Sequence, residues 1–147
     1  MEQLIFVAVF VTLGYFFGRR AEKKHFKSLI ERERQMNQLP AIASRMPPQG
    51  EPYDQILVSG SVVIANDYFK TFVAGLRNLF GGKISTYESL LDRARREALL
   101  RMKEEADKIG AELVFNVKYE TANISGQTSK KPPIIEAHAY GTALKKQ

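Results

Sequence analysis

The fold is decided near the C-terminus by two stretches, ELVFNVKYETANIS at residues 112–125 and IIEAHAYGTAL at residues 134–144. Along the first stretch, Leu113, Phe115, Val117 and Tyr119 alternate with a second set of side chains. This two-residue period is typical of a β-strand that presents a different set of side chains on each face. A polar loop, SGQTSKKPP, joins the two stretches. They are therefore predicted to form an antiparallel hairpin.

The last strand has two contrasting faces. One carries only small residues, and the other carries polar and aromatic ones. The small face consists of Ala137, Ala139, Gly141 and Ala143, and the other consists of Glu136, His138, Tyr140 and Thr142. Small side chains allow a helix to approach the sheet closely. The polar and aromatic face is expected to meet solvent or a neighbouring subunit.

A long helix is predicted from Ser85 to Ile109. Ser85 and Glu88 form a capping box at its start, and Gly110 ends it. Its apolar stripe consists of Tyr87, Leu91, Ala94, Ala98, Met102, Ala106 and Ile109. The charged residues fall on other faces, with Asp92–Arg96 and Glu97–Arg101 at the favourable i,i+4 spacing. The cluster Arg93, Arg95 and Arg96 is therefore interpreted as a solvated face, not as a nucleic-acid or phosphate site.

Residues 53–66, YDQILVSGSVVIAN, are rich in Val and Ile and predict a first strand. A first helix is predicted to follow, capped by Asn66 or Asp67 and ended by Gly81 and Gly82. Its apolar positions are Phe69, Phe72, Val73, Leu76, Leu79 and Phe80. The predicted class is α+β: a β-α-α-β-β unit whose antiparallel sheet packs on helices.

The N-terminal run from Leu4 to Gly18, LIFVAVFVTLGYFFG, contains no charged residue and predicts a single-pass transmembrane helix. As a helix it rises roughly 22 Å at about 1.5 Å per residue. Lys and Arg follow the run and none precedes it, so the N-terminus is expected outside and the domain in the cytosol, at the cell inner membrane. The predicted divisions are an anchor at 1–20, a basic juxtamembrane helix and Pro-rich linker at 21–52, and a domain at 53–147.

Composition narrows the function classes. The chain has 147 residues, a formal net charge of +6 and no cysteine. Disulfides and thiolate metal sites are therefore excluded. The basic excess lies beside the apolar run, which favours the lipid bilayer as a partner and argues against nucleic acid.

The chain resembles the YbjQ-like family, small proteins often labelled as heavy-metal-binding domains of unknown function. The resemblance rests on SGSVVIANDYFKTFVAGLRNLFGGKISTYE, on Arg93, Ala94, Arg95 and Ala98, on IGAELVFNVKYET and on AYGTALKK. It implies a β-α-β-β unit with an antiparallel sheet that assembles into a ring-shaped homo-oligomer, a pentamer, through its sheets and added short strands.

Few residues could bind a metal ion. His25 lies in the juxtamembrane helix, and His138 lies on the last strand with Glu136 on the same face. Copies around a ring axis could bring Glu136 and His138 together into a metal site, although an ordinary strand histidine is the simpler interpretation.

No cofactor is expected, and no catalytic constellation is visible. The leading hypothesis is a membrane-anchored oligomeric binding or scaffold module. The alternatives are a metal-ion or small-ligand sensor with sites at subunit interfaces, and an enzyme with an unrecognised pocket.

Overall fold

A computed structural model describes residues 2–48, 52–65, 85–124 and 134–147. Its elements are α1 (Glu2–Gln35), a short 3-10 helix (Met36–Gln38), β1 (Tyr53–Ala65), α2 (Ser85–Lys108), β2 (Leu113–Asn123) and β3 (Ile134–Lys146). The α+β class and the predicted strands and long helix are confirmed. The helix predicted between Asn66 and Phe80 lies outside the described residues.

The three strands form one antiparallel sheet in the order β1-β3-β2. The predicted hairpin of β2 and β3 is confirmed, with Glu120 opposite His138. On its other side β3 pairs with β1, and Gly60 lies opposite Ala139. The register of the hairpin shifts between Phe115 and Lys118, where Asn116 has a φ of 54°. Asparagine tolerates this left-handed conformation better than most residues.

Helix α2 covers one face of the sheet. Its central stripe of Ala94, Ala98, Met102 and Ala106 is fully buried at 0% exposure. The same core includes three alanines of β3, Ala137, Ala139 and Ala143. This agrees with the prediction that a helix packs closely against the small residues of that strand. The closest approach is at Gly60 on β1, where an added Cβ would lie 2.4 Å from the Ala98 O and Met102 N atoms. Small residues on both elements therefore allow the helix backbone to lie against the strand.

The segment predicted as a Pro-rich linker runs beside β2 in parallel, with Ala41 opposite Val114. Val114 N donates to Pro40 O at 3.0 Å, and Ile42 N donates to Val114 O at 2.9 Å. Two more backbone bonds follow, from Val117 N to Ile42 O and from Asn116 N to Ser44 O. Residues 40–44 therefore act as an added edge strand of the sheet.

Helix α1 is continuous from Glu2 to Gln35, which confirms that the helix continues past the apolar run. No helix within the described residues, however, is long and apolar enough to cross a membrane. The predicted transmembrane anchor is therefore wrong, and so is the single-pass, N-terminus-outside localisation derived from it. The uncharged run is short against a bilayer core of about 30 Å, and Arg19 and Arg20 follow it directly.

The second half of α1 was predicted as part of a basic juxtamembrane helix. Instead its end packs on the domain. Leu29 is fully buried at 0% exposure, whereas its neighbour Ile30 is 48% exposed. The side chains of Arg32 and Glu33 reach carboxylate and guanidinium groups of α2. The charged positions of this helix are thus used against the protein's own second helix.

Candidate functional site on the outer face of the sheet

The outer face is the side of the sheet that is turned away from α2. Successive strand residues point to opposite faces, so the residues of the outer face are those that alternate with the buried, helix-facing residues. They are Leu57, Ser59, Ser61 and Val63 on β1, Glu136, His138, Tyr140 and Thr142 on β3, and Lys118 and Glu120 on β2. The outer face therefore includes the polar and aromatic side chains of β3 that were predicted to lie together on one face of that strand.

A small polar cluster lies at the centre of the outer face. The Tyr140 hydroxyl donates to Glu120 Oε1 at 3.1 Å across the β2–β3 pair. The rings of His138 and Tyr140 lie with centroids 5.6 Å apart at an interplanar angle of 29°. The hydrogen bond to the Glu120 carboxylate raises the pKa of Tyr140, because the bond favours the neutral hydroxyl. The cluster thus holds a protonated phenol and an imidazole side by side.

The structure places the two predicted metal ligands on one face of β3. His138 lies opposite Glu120, and Glu136 is two residues away on the same strand. Within the described residues, no group of three or more His, Cys, Asp or Glu side chains could hold a metal ion. The other histidine, His25, lies in α1, and its buried Nδ1 atom has no hydrogen-bond partner. The described part of one chain therefore supplies an incomplete set of donors.

Apolar side chains on β1 extend the outer face beyond the polar cluster. Leu57 is 72% exposed and Val63 is 56% exposed. Leu57 and Phe115 both lie opposite Thr142, and at this end of the face Phe115 and the nearby Leu144 are buried at 5% and 1% exposure. The uncovered region therefore extends from the polar cluster toward β1, where two large apolar side chains meet solvent.

The arginine cluster of α2 does not form the fully solvated face that was predicted. Arg96 binds Glu33 of α1, with Nη2 to Oε2 at 2.6 Å and Nε to Oε1 at 2.8 Å. Arg96 also lies 3.9 Å from Asp92, as the i,i+4 spacing predicted. Arg95 is exposed, and Arg93 buries an Nε atom that has no hydrogen-bond partner. The interpretation is wrong for Arg96 because a helix distant in sequence supplies its carboxylate.

The predicted Glu97–Arg101 pair is confirmed, but sequence reasoning missed that Arg32 joins it around Glu97, which is buried at 4% exposure. Arg32 of α1 donates from Nη1 to both Glu97 oxygens, at 3.0 and 2.9 Å, and Arg101 Nε donates to Oε1 at 3.0 Å. Burial alone would raise the pKa of Glu97, but the bonds from Arg32 and Arg101 outweigh it and lower that pKa. Arg32 also binds Glu104 at 2.8 Å. The i,i+4 spacing of Glu97 and Arg101 was the sequence signal for this network, whereas nothing local indicated Arg32.

Fold and site together define a small α+β domain whose antiparallel sheet is covered by a helix on one face and carries polar and aromatic side chains on the other. Residues 50–147 match the family model YbjQ_1, described as "Putative heavy-metal-binding". The chain therefore belongs to this family, which confirms the resemblance seen in its sequence. The match leaves α1 and the segment up to Gln49 outside.

The curated relatives are UPF0145 proteins. One from Pyrococcus furiosus is 38% identical over 88 residues, which cover 60% of this chain and 72% of the relative. One from Hahella chejuensis is 40% identical over 88 residues, covering 60% and 79%. A crystal structure of a DUF74-family protein of unknown function from Pediococcus pentosaceus aligns over 74% of this chain and 98% of its own, with 14% identity and a TM-score of 0.47. These names state no activity.

Proposed function

We propose that the domain is a homo-oligomeric binding module whose copies meet on the outer face of the sheet. The described residues cover the other sides of the sheet from within the same chain. Helix α2 covers the inner face, and residues 40–44 pair with the edge of β2. At the edge of β1, Glu105 and Arg101 bind backbone groups of Ser59 and Ser61. Among the described residues, the part of the outer face around Leu57 and Val63 is left uncovered.

The exposure of Leu57 and Val63 is the observation that carries this proposal. Both project from the outer face of a regular strand, 72% and 56% exposed, on either side of Ser59 and Ser61, which lie opposite Tyr140 and His138. Removing apolar surface from water contributes favourably to the association of two protein surfaces. A flat face with apolar side chains beside aromatic and polar ones is also typical of the centre of a protein interface.

Light scattering of the full chain at tens of micromolar tests the proposal. The expected result is a stable oligomer, in line with the ring that the family resemblance implies. Leu57→Asp should lower the average mass, because an aspartate cannot be buried unpaired at the contact. Met46→Asp is the matched control, since Met46 is 78% exposed in the N-terminal segment. A monomeric wild type, or an unchanged mass for Leu57→Asp, would contradict the proposal.

Metal binding is a second candidate function, favoured by the family description and by the position of His138 opposite Glu120. Imidazole and carboxylate donors suit borderline divalent ions such as Zn²⁺, Ni²⁺ and Cu²⁺. A closed site usually needs four ligands, so neighbouring copies would have to contribute the remaining donors. The metal site therefore requires the outer-face assembly.

Isothermal titration of the full chain with each of these ions tests the second candidate. Binding heat should be lost in His138→Ala and retained in His25→Ala, which removes the histidine of α1. Heat that is equal in wild type and His138→Ala would eliminate the site. An oligomer without binding heat would leave the assembly proposal standing and reject the metal.

A further inference from the structure

The N-terminal arm docks on α2 and β2 but is connected in the chain to β1. The arm is defined here as residues 29–44, which comprise the end of α1, the short 3-10 helix and the strand segment beside β2. It lies outside the family match, which begins at residue 50. Residues 45–52, RMPPQGEP, lead from the arm to the start of β1. Their length therefore determines how easily the arm reaches its own domain.

The docked arm shows which segment fits the edge of β2. Four backbone hydrogen bonds of 2.8 to 3.1 Å join residues 40–44 to that strand. Leu39 belongs to the domain core at 6% exposure, and Ala41 packs against the same core. The ion pairs between α1 and α2 add to this attachment. The edge of β2 is therefore matched to the arm sequence, whether the same chain or a second copy supplies it.

The register gives the distance that the connection has to span. Ser44 O accepts a hydrogen bond from Asn116 N. Asn116 lies level with Gly141, which is opposite Val58. Tyr53, where β1 starts, precedes Val58 by five residues, or about 17 Å along the strand. The arm and β1 are separated by three strand spacings, about 14 Å, so the straight distance from Ser44 to Tyr53 is about 22 Å.

The connection has little length to spare for this span. A straight path would run through β2 and β3, so the chain has to pass over a face of the sheet or around its end. A layer that packs on a sheet lies about 10 Å from it, which lengthens the path over a face to about 30 Å, and the route around the end is about as long. Tyr53 follows Ser44 by nine residues, which reach at most about 30–32 Å when fully extended. Closure within one chain therefore takes up almost the whole reach of the connection.

The composition of the connection adds to this cost. Pro47, Pro48 and Pro52 each fix a backbone dihedral angle, and proline-rich segments act as semi-rigid spacers. A short connection with little slack is a recognised cause of domain swapping, in which two copies exchange an identical element. A second copy can be placed so that its β2 edge meets the arm without a path across the first sheet. Exchange therefore keeps the contacts of the arm and relieves the connection.

We infer that two copies of the chain exchange their arms. Residues 40–44 of one copy pair with β2 of the other, and Leu39 of one copy completes the core of the other. The core of each copy is incomplete without the other chain, because Leu39 belongs to it and Ala41 packs against it. This inference rests on the arm and its connection, and it does not depend on association through the outer face.

Disulfide trapping in the full chain tests the exchange, because the chain has no cysteine and introduced thiols are its only ones. Ala41 and Val114 lie directly opposite each other, at a separation that suits a disulfide, so Ala41→Cys/Val114→Cys should become oxidised. Leu57→Asp is added to remove association through the outer face. Exchanged arms give a covalent dimer on a non-reducing gel, which is the expected result. A covalent monomer would overturn the inference.

A longer connection provides a second test that leaves the core unchanged. In the Leu57→Asp chain at tens of micromolar, a flexible insertion of about eight Gly and Ser residues between Gln49 and Gly50 should reduce the mass in light scattering from two chains to one. The same insertion between Ser129 and Lys130, before β3, is the matched control and should leave the dimer intact.

The masses also separate the two kinds of association. Two chains in both the wild type and Leu57→Asp would reject the outer-face proposal and support the exchange. A Leu57→Asp chain that is monomeric with its native connection would overturn the exchange. The same holds for a dimer that the longer connection fails to dissociate.

Discussion

Replacing Gly60 with alanine should destabilise the protein more than the same change at any other glycine described. Gly60 lies on β1 directly beneath α2, and an added Cβ would be 2.4 Å from both Ala98 O and Met102 N. Ordinary contacts to a Cβ begin at 3.4 Å, so each of these contacts is about 1 Å too short. Both atoms belong to the helix backbone. The clash therefore cannot be relieved by turning a side chain.

The cost follows from what has to move. Helix α2 must shift by about 1 Å over the strand, which opens gaps around Ala94 and Ala106 in the core. Overpacking a close-packed core costs typically 1–3 kcal/mol, and rigid backbone partners place Gly60→Ala at or above the upper end of that range. We therefore expect a loss of about 3 kcal/mol of unfolding free energy, a large fraction of the stability of a small domain.

Urea denaturation followed by circular dichroism measures the loss. Gly141→Ala is the matched comparison, because its added Cβ would meet Val114 Cγ1 at 2.8 Å and Phe115 O at 3.0 Å. One of these partners is a methyl group that can rotate away, so the cost should be smaller. A surface substitution typically changes the free energy of unfolding by no more than about 0.5 kcal/mol. If Gly60→Ala changes it by no more than that, the close helix–strand packing is refuted.

Three further changes have defined outcomes. The pKa of Glu97 is lowered in the folded protein, so its stabilising contribution is present above the ordinary value of 4.5 and is lost as the pH falls through the folded pKa. In urea titrations at several pH values, Glu97→Gln should lose less unfolding free energy than the wild type on the acid side. The pKa of Tyr140 is raised, so its contribution to stability is present below pH 10.0 and is lost as the pH rises through the folded pKa. Glu120→Gln should lower the pKa of Tyr140, measured from the pH dependence of its ring signals in NMR spectra. Met102→Ala should cost about 2–5 kcal/mol in thermal unfolding, whereas Met46→Ala at an exposed position should cost almost nothing.

Local patterns in the sequence were enough to predict most of the domain. The alternation in residues 112–125 and 134–144 depends on the two-residue period of a strand, and it identified both strands and their pairing. The predicted end of the long helix at Gly110 also held, because Gly110 adopts a φ of 75° that favours glycine. The small face of β3 correctly indicated a closely packed helix.

The candidate site was predicted in composition but not in geometry. Glu136 and His138 were placed on one strand face by their spacing alone. The opposition of Glu120 to His138, and the hydrogen bond from Tyr140, required the register of the hairpin, which no local pattern specifies. The close approach at Gly60 was missed for the same reason, because it depends on which part of α2 crosses β1.

The N-terminal third shows where sequence reasoning failed. Its apolar run suggested a membrane span, and the charged helix that follows was interpreted without knowing which groups lie opposite it. The end of α1 and residues 40–44 in fact pack on α2 and β2. By itself the sequence determined the strands, the long helix and the family, since periodicity and capping act between near neighbours. Only the tertiary structure decided the partners of Arg32, Glu33 and Arg96, because an ion pair depends on distance in space between residues more than sixty positions apart in the chain.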